Sequence, residues 1–415
     1  MRKLILFALI LVSLPIYAQF GWYRQNSNST NLVGGVHMFN DNKAIVVGFN
    51  GLVRTTTNGG TNWALTSVGI SSNLHKVTFM NDLMGVIIGE LGIILYTSNG
   101  GASWNSTGSV SNNLNDVRYV EVGGETSNTA YITGTNGLIL KSTNGGLNWN
   151  SLNSGTTQML NDVSFADFNT GFVCGINGVV LKTTNGGVNW TPKNTGLTEI
   201  NNYGIRFLNK DTGIVVGGSA SFNNGCIFKT TNGGTTWTVK LLNYFGSINM
   251  PYYHDANTIT VVGNYGVILR SYDGGNSWTI QGNQSNEYLH DVDFSNSSVG
   301  IAVGKNGAIV KTTSGGLVNV SLQSTLKPES FSLKQNYPNP FNPATKISFD
   351  IKNSTFASLK IFDMSGKEIK ALVNENLAAG SYEISFNASE LNSGVYFYTL
   401  KTNEYTETKK MMLVK

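Results

Sequence analysis

The 415-residue chain has few charged residues: Asp, Glu, Lys and Arg make up only 13% of it, about half of the usual share of roughly 25%. Its 28 basic and 24 acidic residues leave a net charge of +4. It has no basic run interleaved with aromatic residues, which argues against nucleic acid as a partner. The 48 glycines, with abundant Asn, Ser and Thr, are instead typical of short strands joined by tight turns.

Long apolar runs are also scarce. The one clear run, residues 4–16, follows Arg2 and Lys3 and precedes Ala18. A short basic start, a short apolar segment and a small residue at the cleavage point predict a secretory signal peptide over residues 1–18. No other stretch approaches the roughly 18 residues that a membrane helix needs. We therefore expect an exported mature chain with no membrane span.

Cysteine is rare as well, since the chain has only Cys174 and Cys226. An exported protein can pair two such residues, but their core-type strand positions favour two small buried side chains. The histidines show no metal-ligand spacing, and the sequence has no phosphate-binding loop and no Cys-x-x-Cys pair. We predict no metal and no cofactor. The four histidines are His37, His75, His254 and His290.

One eight-residue segment recurs through the first three quarters of the chain. It reads TTNGGTNW at residues 56–63, returns in five further copies that keep the tryptophan, and appears once more as TTSGGLVN at 312–319 without it. The intervals between successive copies are 41, 45, 41, 47, 41 and 41 residues. A fixed period of this length predicts a solenoid, a propeller or another repeat array.

The strand pattern within one unit decides among these architectures. Residues 160–190 read LNDVSFADFNTGFVCGINGVVLKTTNGGVNW. Period-two alternation, an apolar run, a β-branched run and a last short strand are separated by NG and NGG turn signals. Four strands in about 41 residues predict a β-propeller blade.

The lost tryptophan predicts how the ring closes. There are seven inner-strand patterns but only six turns followed by Trp, and Trp22 lies 11 residues before the first pattern, as Trp63 does before the second. We therefore predict an all-β, seven-bladed propeller over residues 19–319, closed by the N-terminal strand, because closure removes an exposed sheet edge. The structural repeat residues are Trp22, Trp63, Trp104, Trp149, Trp190, Trp237 and Trp278.

The repeated segment resembles the Asp-box, or BNR, repeat. Only the copy at 271–278 has the aspartate, Asp273, and the others have asparagine or serine there. The complete unit resembles the propellers of photosystem II stability and assembly factors, and more loosely those of sialidases, sortilin-type domains and two-domain xyloglucanases. This resemblance implies the architecture and a structural role for the boxes.

The repeat pattern ends near Gly316, and we predict a linker at 320–330 followed by a second domain at 331–415. Its short strand signals predict a small Ig-like β-sandwich. The segments NYPNPFNP, IFDMSGKEI, LAAGSYEISF, GVYFYTL and KKMMLVK resemble the type A C-terminal sorting domain of the type IX (Por) secretion system. That resemblance implies the type IX translocon as a partner, export through the periplasm, and release from the cell or attachment to its outer surface.

Few residues suit catalysis. Arg54 and Arg270 occupy a repeat position that elsewhere holds mostly lysine, so they do not indicate a sialidase arginine triad. Asp116, Asp162 and Asp291 stand just before the central residue of three inner strands. With Glu90 they are the only candidates for a glycoside hydrolase pair. The alternative is that these aspartates accept hydrogen bonds from backbone amides.

The turns that share a face with these strand starts differ from blade to blade. Phe49, Phe222 and Tyr265 are the candidate ligand-binding residues there. We therefore predict a secreted or surface-attached binding protein rather than an enzyme. Its predicted partner is a surface protein or a glycan. The alternatives are an extracellular polysaccharide-degrading enzyme and an assembly factor for surface complexes.

Overall fold

The computed structural model describes residues 21–219, 224–316, 320–324, 327–377, 379–388 and 391–415. The predicted signal peptide and Phe222 lie outside these residues. The described residues form nine four-stranded sheets, seven in the propeller and two near the C-terminus. This confirms the predicted all-β, seven-bladed architecture.

Each blade is an antiparallel meander of four strands, which we call a to d from the channel outward. The strands are: blade 1, Val33–Met38, Ala44–Gly48, Leu52–Thr56 and Ala64–Leu65; blade 2, Leu74–Phe79, Gly85–Gly89, Ile94–Thr97 and Asn105–Gly108; blade 3, Leu114–Val122, Glu125–Gly134, Ile139–Ser142 and Asn150–Leu152; blade 4, Leu160–Phe165, Gly171–Gly175, Val180–Thr183 and Thr191–Pro192; blade 5, Ile200–Phe207, Gly213–Ser219, Asn224–Thr230 and Thr238–Phe245; blade 6, Ile248–Tyr253, Ile259–Gly263, Ile268–Ser271 and Thr279–Ile280; blade 7, Leu289–Phe294, Gly300–Gly304, Ile309–Thr312 and the N-terminal Tyr23–Arg24. One-turn 3-10 helices follow strand b in four blades: Glu90–Gly92, Thr135–Gly137, Asn264–Gly266 and Lys305–Gly307.

The burial of the strands explains their sequence patterns. Strand b of blade 2, Gly85–Gly89, is buried at all five positions because neighbouring blades cover both of its faces. Strand d of blade 1, Ala64–Leu65, lies at the rim and is exposed. Each of the seven hydrophobic clusters of the propeller joins two adjacent blades. Since a fully buried aliphatic side chain contributes about 1.5–3 kcal/mol, these interfaces hold the ring together.

Cys174 and Cys226 lie in the cluster between blades 4 and 5 and are not bonded to each other. Both are buried, and the Cys174 Sγ lies 3.6 Å from the Asn202 carbonyl oxygen. Burial raises the pKa of Cys226 to about 12 and that of Cys174 well above its usual value. The two thiols therefore pack as small apolar side chains.

The repeated segment folds into a turn that joins strands c and d. In blade 4 the Thr183 hydroxyl donates to the Asn185 side-chain oxygen at 3.0 Å and accepts the Gly187 N–H at 2.9 Å. The same asparagine oxygen accepts the Asn189 N–H at 2.9 Å. Gly187 has a φ of +89°, which a residue with a Cβ rarely adopts. Trp190 packs on this glycine, so the motif has a structural role and stabilises the turn.

The N-terminal segment closes the ring as predicted. Tyr23–Arg24 pairs with strand c of blade 7, with Tyr23 opposite Lys311 and Arg24 opposite Val310. Trp22 is fully buried and meets the Phe294 ring edge-on at 5.6 Å. It lies against Gly316, the second glycine of the seventh turn, and five other turns also have a tryptophan against their second glycine. Trp22 therefore replaces the tryptophan that the seventh turn lacks.

The C-terminal part packs two sheets around one core of aliphatic and aromatic residues. In sheet order the strands are Val320–Ser324, Gly380–Asn387, Ala344–Ile351 and Ser332–Leu333 in one sheet, and Glu368–Leu377, Thr355–Phe362, Gly394–Lys401 and Thr406–Leu413 in the other. The proline-rich segment is attached to the end of the chain, because the Phe341 N–H donates to the Met412 carbonyl and the Val414 N–H donates to the Phe341 carbonyl.

The predicted linker at 320–330 was wrong in its first part. Residues 320–324 form a strand that pairs with Gly380–Asn387, placing Val320 opposite Ile384 and Leu322 opposite Tyr382. The apolar residues Val320 and Leu322 alternate with polar ones, which is a pattern typical of a strand. The C-terminal sheet therefore recruits a strand that precedes the predicted domain start.

Candidate functional site

Strand a of every blade lines a central channel that widens into a cavity at each end. At the first face, where the b–c turns meet the starts of the inner strands, the cavity measures about 460 Å³. At the opposite face it measures about 360 Å³. The turns of the repeated segment join strands c and d and so lie at the opposite face. Those candidate binding and catalytic residues that the structure describes belong to the first face or to the strands below it.

The b–c turns of the first face place one residue in the left-handed backbone region. Four blades use asparagine there, whereas blade 2 has Leu91 with φ +54° and blade 6 has Tyr265 with φ +57°. Leu91 is 69% exposed and Tyr265 is 39% exposed. Phe49 is half-buried at the cavity wall, and its ring centroid lies 6.3 Å from that of His75. The four asparagines are Asn50, Asn136, Asn177 and Asn306.

Amide side chains from blades 3, 4 and 6 line the mouth of the channel. Asn115 Nδ2 donates to the Leu160 carbonyl at 2.7 Å, and Asn161 Nδ2 donates to the Asn202 carbonyl at 2.8 Å. Asn249 makes the equivalent bond to the first residue of blade 7, at 2.7 Å. Because a carbonyl can only accept, each amide turns its NH₂ group to the next blade. Its oxygen is therefore kept as an acceptor at the mouth.

The three candidate aspartates lie one residue deeper and are almost completely buried, with exposures of 1% for Asp116, 0% for Asp162 and 2% for Asp291. Each accepts a backbone N–H from strand a of the next blade. The donors are Val163 to Asp116 at 3.3 Å, Ile205 to Asp162 at 2.7 Å and Val36 to Asp291 at 2.9 Å. These hydrogen bonds are the ones expected if the aspartates serve as acceptors for backbone amides, which was the alternative to a catalytic role.

Asp116 and Asp162 are hydrogen-bonded to each other. The carboxyl groups of a glycoside hydrolase instead stand roughly 5–10 Å apart across the substrate. Burial, and then the negative charge of Asp116, raise the pKa of Asp162 well above its usual value. Burial also opposes ionisation of Asp116, but the charges of Arg118 and Lys76 outweigh it and lower that pKa. The close contact and the burial of the two carboxyl groups therefore give the hydrolase alternative no geometric support.

Lys76 crosses the channel from blade 2 to blade 7. Its Nζ lies 2.5 Å from Asp291 Oδ1 and 3.8 Å from Asp116 Oδ1, and its side chain is 6% exposed. Blade 1 stands between these two blades and has Gly35 at the equivalent position. A Cβ on Gly35 would come within 2.9 Å of the Lys76 Cα. The glycine therefore lets the inner strands of blades 1 and 2 approach closely, and Lys76 lies between the two cavities because it lines both of them.

Two arginines extend this cluster toward the opposite face. Arg118 Nε lies 3.5 Å from Asp116 Oδ2, and Arg206 Nη1 donates to Asp162 Oδ1 at 3.5 Å. Asp293 and His37 are 3.7 Å apart there. Burial raises the pKa of Asp293 to about 7, while burial and then Arg118 lower the pKa of His37 to about 4. Between these values both groups are neutral, so their contact is not an ion pair.

Glu90 lies apart from the buried aspartates, at the rim of the first face. Its Oε2 accepts from Asn73 Nδ2 at 3.0 Å, and its Oε1 is 3.8 Å from His75 Nε2. The side chain is 36% exposed. Glu90 therefore contributes negative charge beside the cavity and is not part of the carboxylate cluster.

The recurring basic position of strand c faces away from this site. Lys141, Lys182 and Lys311 donate to glycine carbonyls in the turn of the next blade, at 3.0–3.2 Å. Arg54 donates to the Trp63 carbonyl at 3.0 Å, and Arg270 donates to the Ser297 carbonyl at 3.0 Å. This basic position therefore links strands, turns and blades around the ring.

Sequence reasoning missed several residues of the first-face cavity, including Tyr203, Tyr288 and the three asparagines at the mouth. A signal was present, because Asn115, Asn161 and Asn249 all occupy the second position of strand a. Lys76 occupies the strand position at which blades 3, 4 and 7 have aspartate. Its partner Asp291 is 215 residues away in the chain, so no local pattern joins them.

Fold and site together define a seven-bladed propeller with a mixed polar and aromatic mouth, followed by a two-sheet domain. Residues 335–415 match the family model of the secretion system C-terminal sorting domain. Residues 61–157 and 147–243 match the model of the photosynthesis system II assembly factor YCF48. Both resemblances predicted from the sequence are confirmed, and the sorting domain indicates export by the type IX system to the cell surface or extracellular space.

Solved structures show the same propeller fold. YCF48 bound to D1 peptide is 19% identical, with a TM-score of 0.58 covering 73% of this chain and 100% of that one. YCF48 from Cyanidioschyzon merolae is 18% identical, with a TM-score of 0.56 covering 70% and 98%. The WD40 propeller domain of Doa1 is 12% identical, with a TM-score of 0.55 covering 69% and 96%. At these identities the likeness shows the fold alone.

None of the curated proteins compared with the chain matches it. In the part of the chain that the structure describes, no helix has the length and apolar character needed to cross a membrane. Among the same residues, no group of three or more His, Cys, Asp or Glu side chains is arranged to hold a metal ion.

Proposed function

We propose that this protein is an exported binding protein whose propeller holds a partner at the cell surface through its first face. The observation that carries the proposal is the replacement of asparagine by Leu91 and Tyr265 in two left-handed turns. Such backbone costs a bulky residue about 1–3 kcal/mol, and strain of this kind concentrates at functional positions. Both side chains are exposed beside the cavity, where they add apolar contact area.

The sorting domain has its own partner in this proposal. Residues 335–415 engage the type IX translocon and are then removed, after which the propeller is released or remains attached to the surface. A role in assembling surface complexes is a more specific form of the same function. It is favoured by the match of residues 61–243 to the YCF48 assembly-factor model, and YCF48 itself has been solved with a bound peptide.

The test is binding of the labelled mature chain to intact cells of the producing species. We expect the double variant Leu91→Asn/Tyr265→Asn to lose at least about tenfold in binding, because two exposed apolar anchors are removed. The control is Leu65→Asn/Phe168→Asn, which removes exposed apolar side chains away from the first face. Equal binding by the wild type and both variants would refute the proposed face.

A further inference from the structure

We propose that the first-face cavity is a binding site for a neutral saccharide unit of a surface glycan. This inference rests on the proposed function, since it places the ligand on the same face. The cavity of about 460 Å³ lies within the usual range of ligand sites, roughly 300–1,000 Å³. Its floor is the ion-pair cluster of Lys76, and its walls are amide and aromatic side chains.

The mouth of the cavity is rich in hydrogen-bond acceptors. Asn115 and Asn161 donate hydrogen bonds through their NH₂ groups to carbonyls of the next blade, so their side-chain oxygens can accept hydrogen bonds from a ligand. Below them Asp116 Oδ1 is buried and has no hydrogen-bond partner among the described residues, although the Lys76 ammonium is 3.8 Å away. A buried acceptor without a donor is unfavourable. A ligand with several O–H donors would satisfy these atoms together.

The balance of charge favours an uncharged ligand. Lys76 and Asp116 line this cavity with charges of opposite sign, and at its rim the Glu90 carboxylate lies 3.8 Å from the His75 imidazole. His290 also lines it, and burial lowers the pKa of that imidazole, so it is neutral at neutral pH. A carboxylate would approach Asp116 and an ammonium would approach Lys76, each at a cost in a partly dehydrated site. Hydroxyl groups donate to the acceptors without this repulsion.

Aromatic rings supply the apolar part of the site. Phe49, Tyr203 and Tyr288 line the cavity from blade 1, blade 5 and the segment leading into blade 7. All three are half-buried, so part of each ring remains open to the cavity. The C–H face of a pyranose packs against such rings while its hydroxyls point to the polar wall. A combination of a few polar groups and aromatic walls is typical of small-ligand sites.

The test is calorimetric titration, supported by saturation-transfer NMR, of residues 19–415, which contain both the propeller and the C-terminal domain. The probes are glucose, galactose, mannose, xylose, N-acetylglucosamine, cellobiose and chitobiose, with glucuronic acid and glucosamine as charged counterparts. We expect at least one neutral sugar to bind and its charged counterpart to bind more weakly. Tyr203→Ala should weaken the affinity for that sugar about tenfold, because one ring contact is lost. Tyr203→Phe keeps the ring and should retain the affinity.

The control is Phe168→Ala, which removes a 49% exposed ring in the a–b loop of blade 4, at the opposite face. It should leave sugar binding unchanged. If Tyr203→Ala does not fold, Tyr288→Ala replaces it. The inference would be overturned if no neutral sugar bound at millimolar concentration. It would also be overturned if Phe168→Ala weakened sugar binding as much as Tyr203→Ala. If cell binding still depends on Leu91 and Tyr265, the proposed function stands and only the saccharide assignment falls.

Discussion

Residue 91 is a leucine in a turn where four other blades have asparagine. Asparagine tolerates left-handed backbone, whereas a branched apolar side chain crowds the following carbonyl, at a cost of roughly 1–2 kcal/mol. We therefore predict that Leu91→Asn raises the free energy of unfolding by about 1 kcal/mol. The measurement is guanidinium denaturation of the mature chain.

Tyr265 makes a less simple case of the same substitution. Its ring meets Tyr288 edge-on at 5.0 Å, so Tyr265→Asn removes a favourable contact together with the strain. The gain should therefore be smaller than for Leu91→Asn. Leu65→Asn is the control, because Leu65 is 65% exposed in ordinary strand backbone and has no such strain to relieve. A loss of stability in Leu91→Asn would show that the leucine is held by packing.

His254 makes stability depend on pH. Burial, and then the charge of Arg270, lower its pKa to about 3, while the unfolded value is about 6.5. Between these values the unfolded chain binds more protons, so this contribution is complete above pH 6.5 and is lost as the pH falls toward 3. The free energy of unfolding should fall between pH 7.5 and 5, and His254→Gln should make that fall smaller by on the order of 2 kcal/mol.

The measurement for His254 is the melting temperature of the wild type and variant at several pH values. His37 also has a lowered pKa and Asp293 a raised one, so only the difference between the two proteins is informative. The Nε2 of His254 lies 2.9 Å from the Thr260 hydroxyl, and glutamine retains a polar group to face it. Parallel pH profiles would contradict the assignment to this histidine.

At the scale of the element, the closing strand depends on one side chain. Tyr23–Arg24 contributes only two paired residues, but Trp22 beside it packs between Met250, Phe294 and Val310 with no exposed surface. Trp22→Ala should destabilise the protein by about 3–5 kcal/mol. Trp190→Ala and Trp237→Ala should cost less, because those rings are only partly buried. Chemical denaturation would rank the three variants, and equal losses would argue against a special role in closure.

The blades could be predicted from sequence because each strand and turn repeats its own local signal. The closing strand followed from the missing tryptophan of the seventh turn, since a closed ring needs a partner for that edge. The strand at Val320–Ser324 was missed because its signal is five residues long and its partner, Gly380–Asn387, lies far along the chain. The extra residues of the 45-residue interval lengthen the first hairpin of blade 3, formed by Leu114–Val122 and Glu125–Gly134.

The candidate site was predicted only in outline. The face and the tip residues followed from the alternation of strands and turns. The burial of Asp116 and Asp162 did not, because it depends on backbone donors in the next blade, more than 40 residues away. The contact of Lys76 with Asp291 depends on ring closure, which brings blade 7 within reach of blade 2. Such contacts exist only once all seven blades are in place.

At the scale of the whole molecule, polar links join the blades at different depths. Amides join them at the mouth, aspartates accept backbone N–H groups below, and lysines reach the turns of the opposite face. Between blades 7 and 1, Asp291 accepts the Val36 N–H while Asp293 accepts the Met38 N–H. Side chains of blade 7 thus accept two backbone N–H groups of blade 1 at the place where the two ends of the repeat meet.

Lys76 bears directly on this closure, because it joins blade 2 to blade 7 across blade 1. Removing one partner of a buried ion pair typically costs about 3–5 kcal/mol, since it leaves the other charge uncompensated. We expect that loss for Lys76→Met. In the double variant Lys76→Met/Asp291→Asn most of it should be recovered, because the amide oxygen still accepts the Val36 N–H and no charge is left alone. A double-mutant cycle of unfolding free energies measures this coupling. Additive losses would show that the two residues act independently and that the crossing contributes nothing to closure.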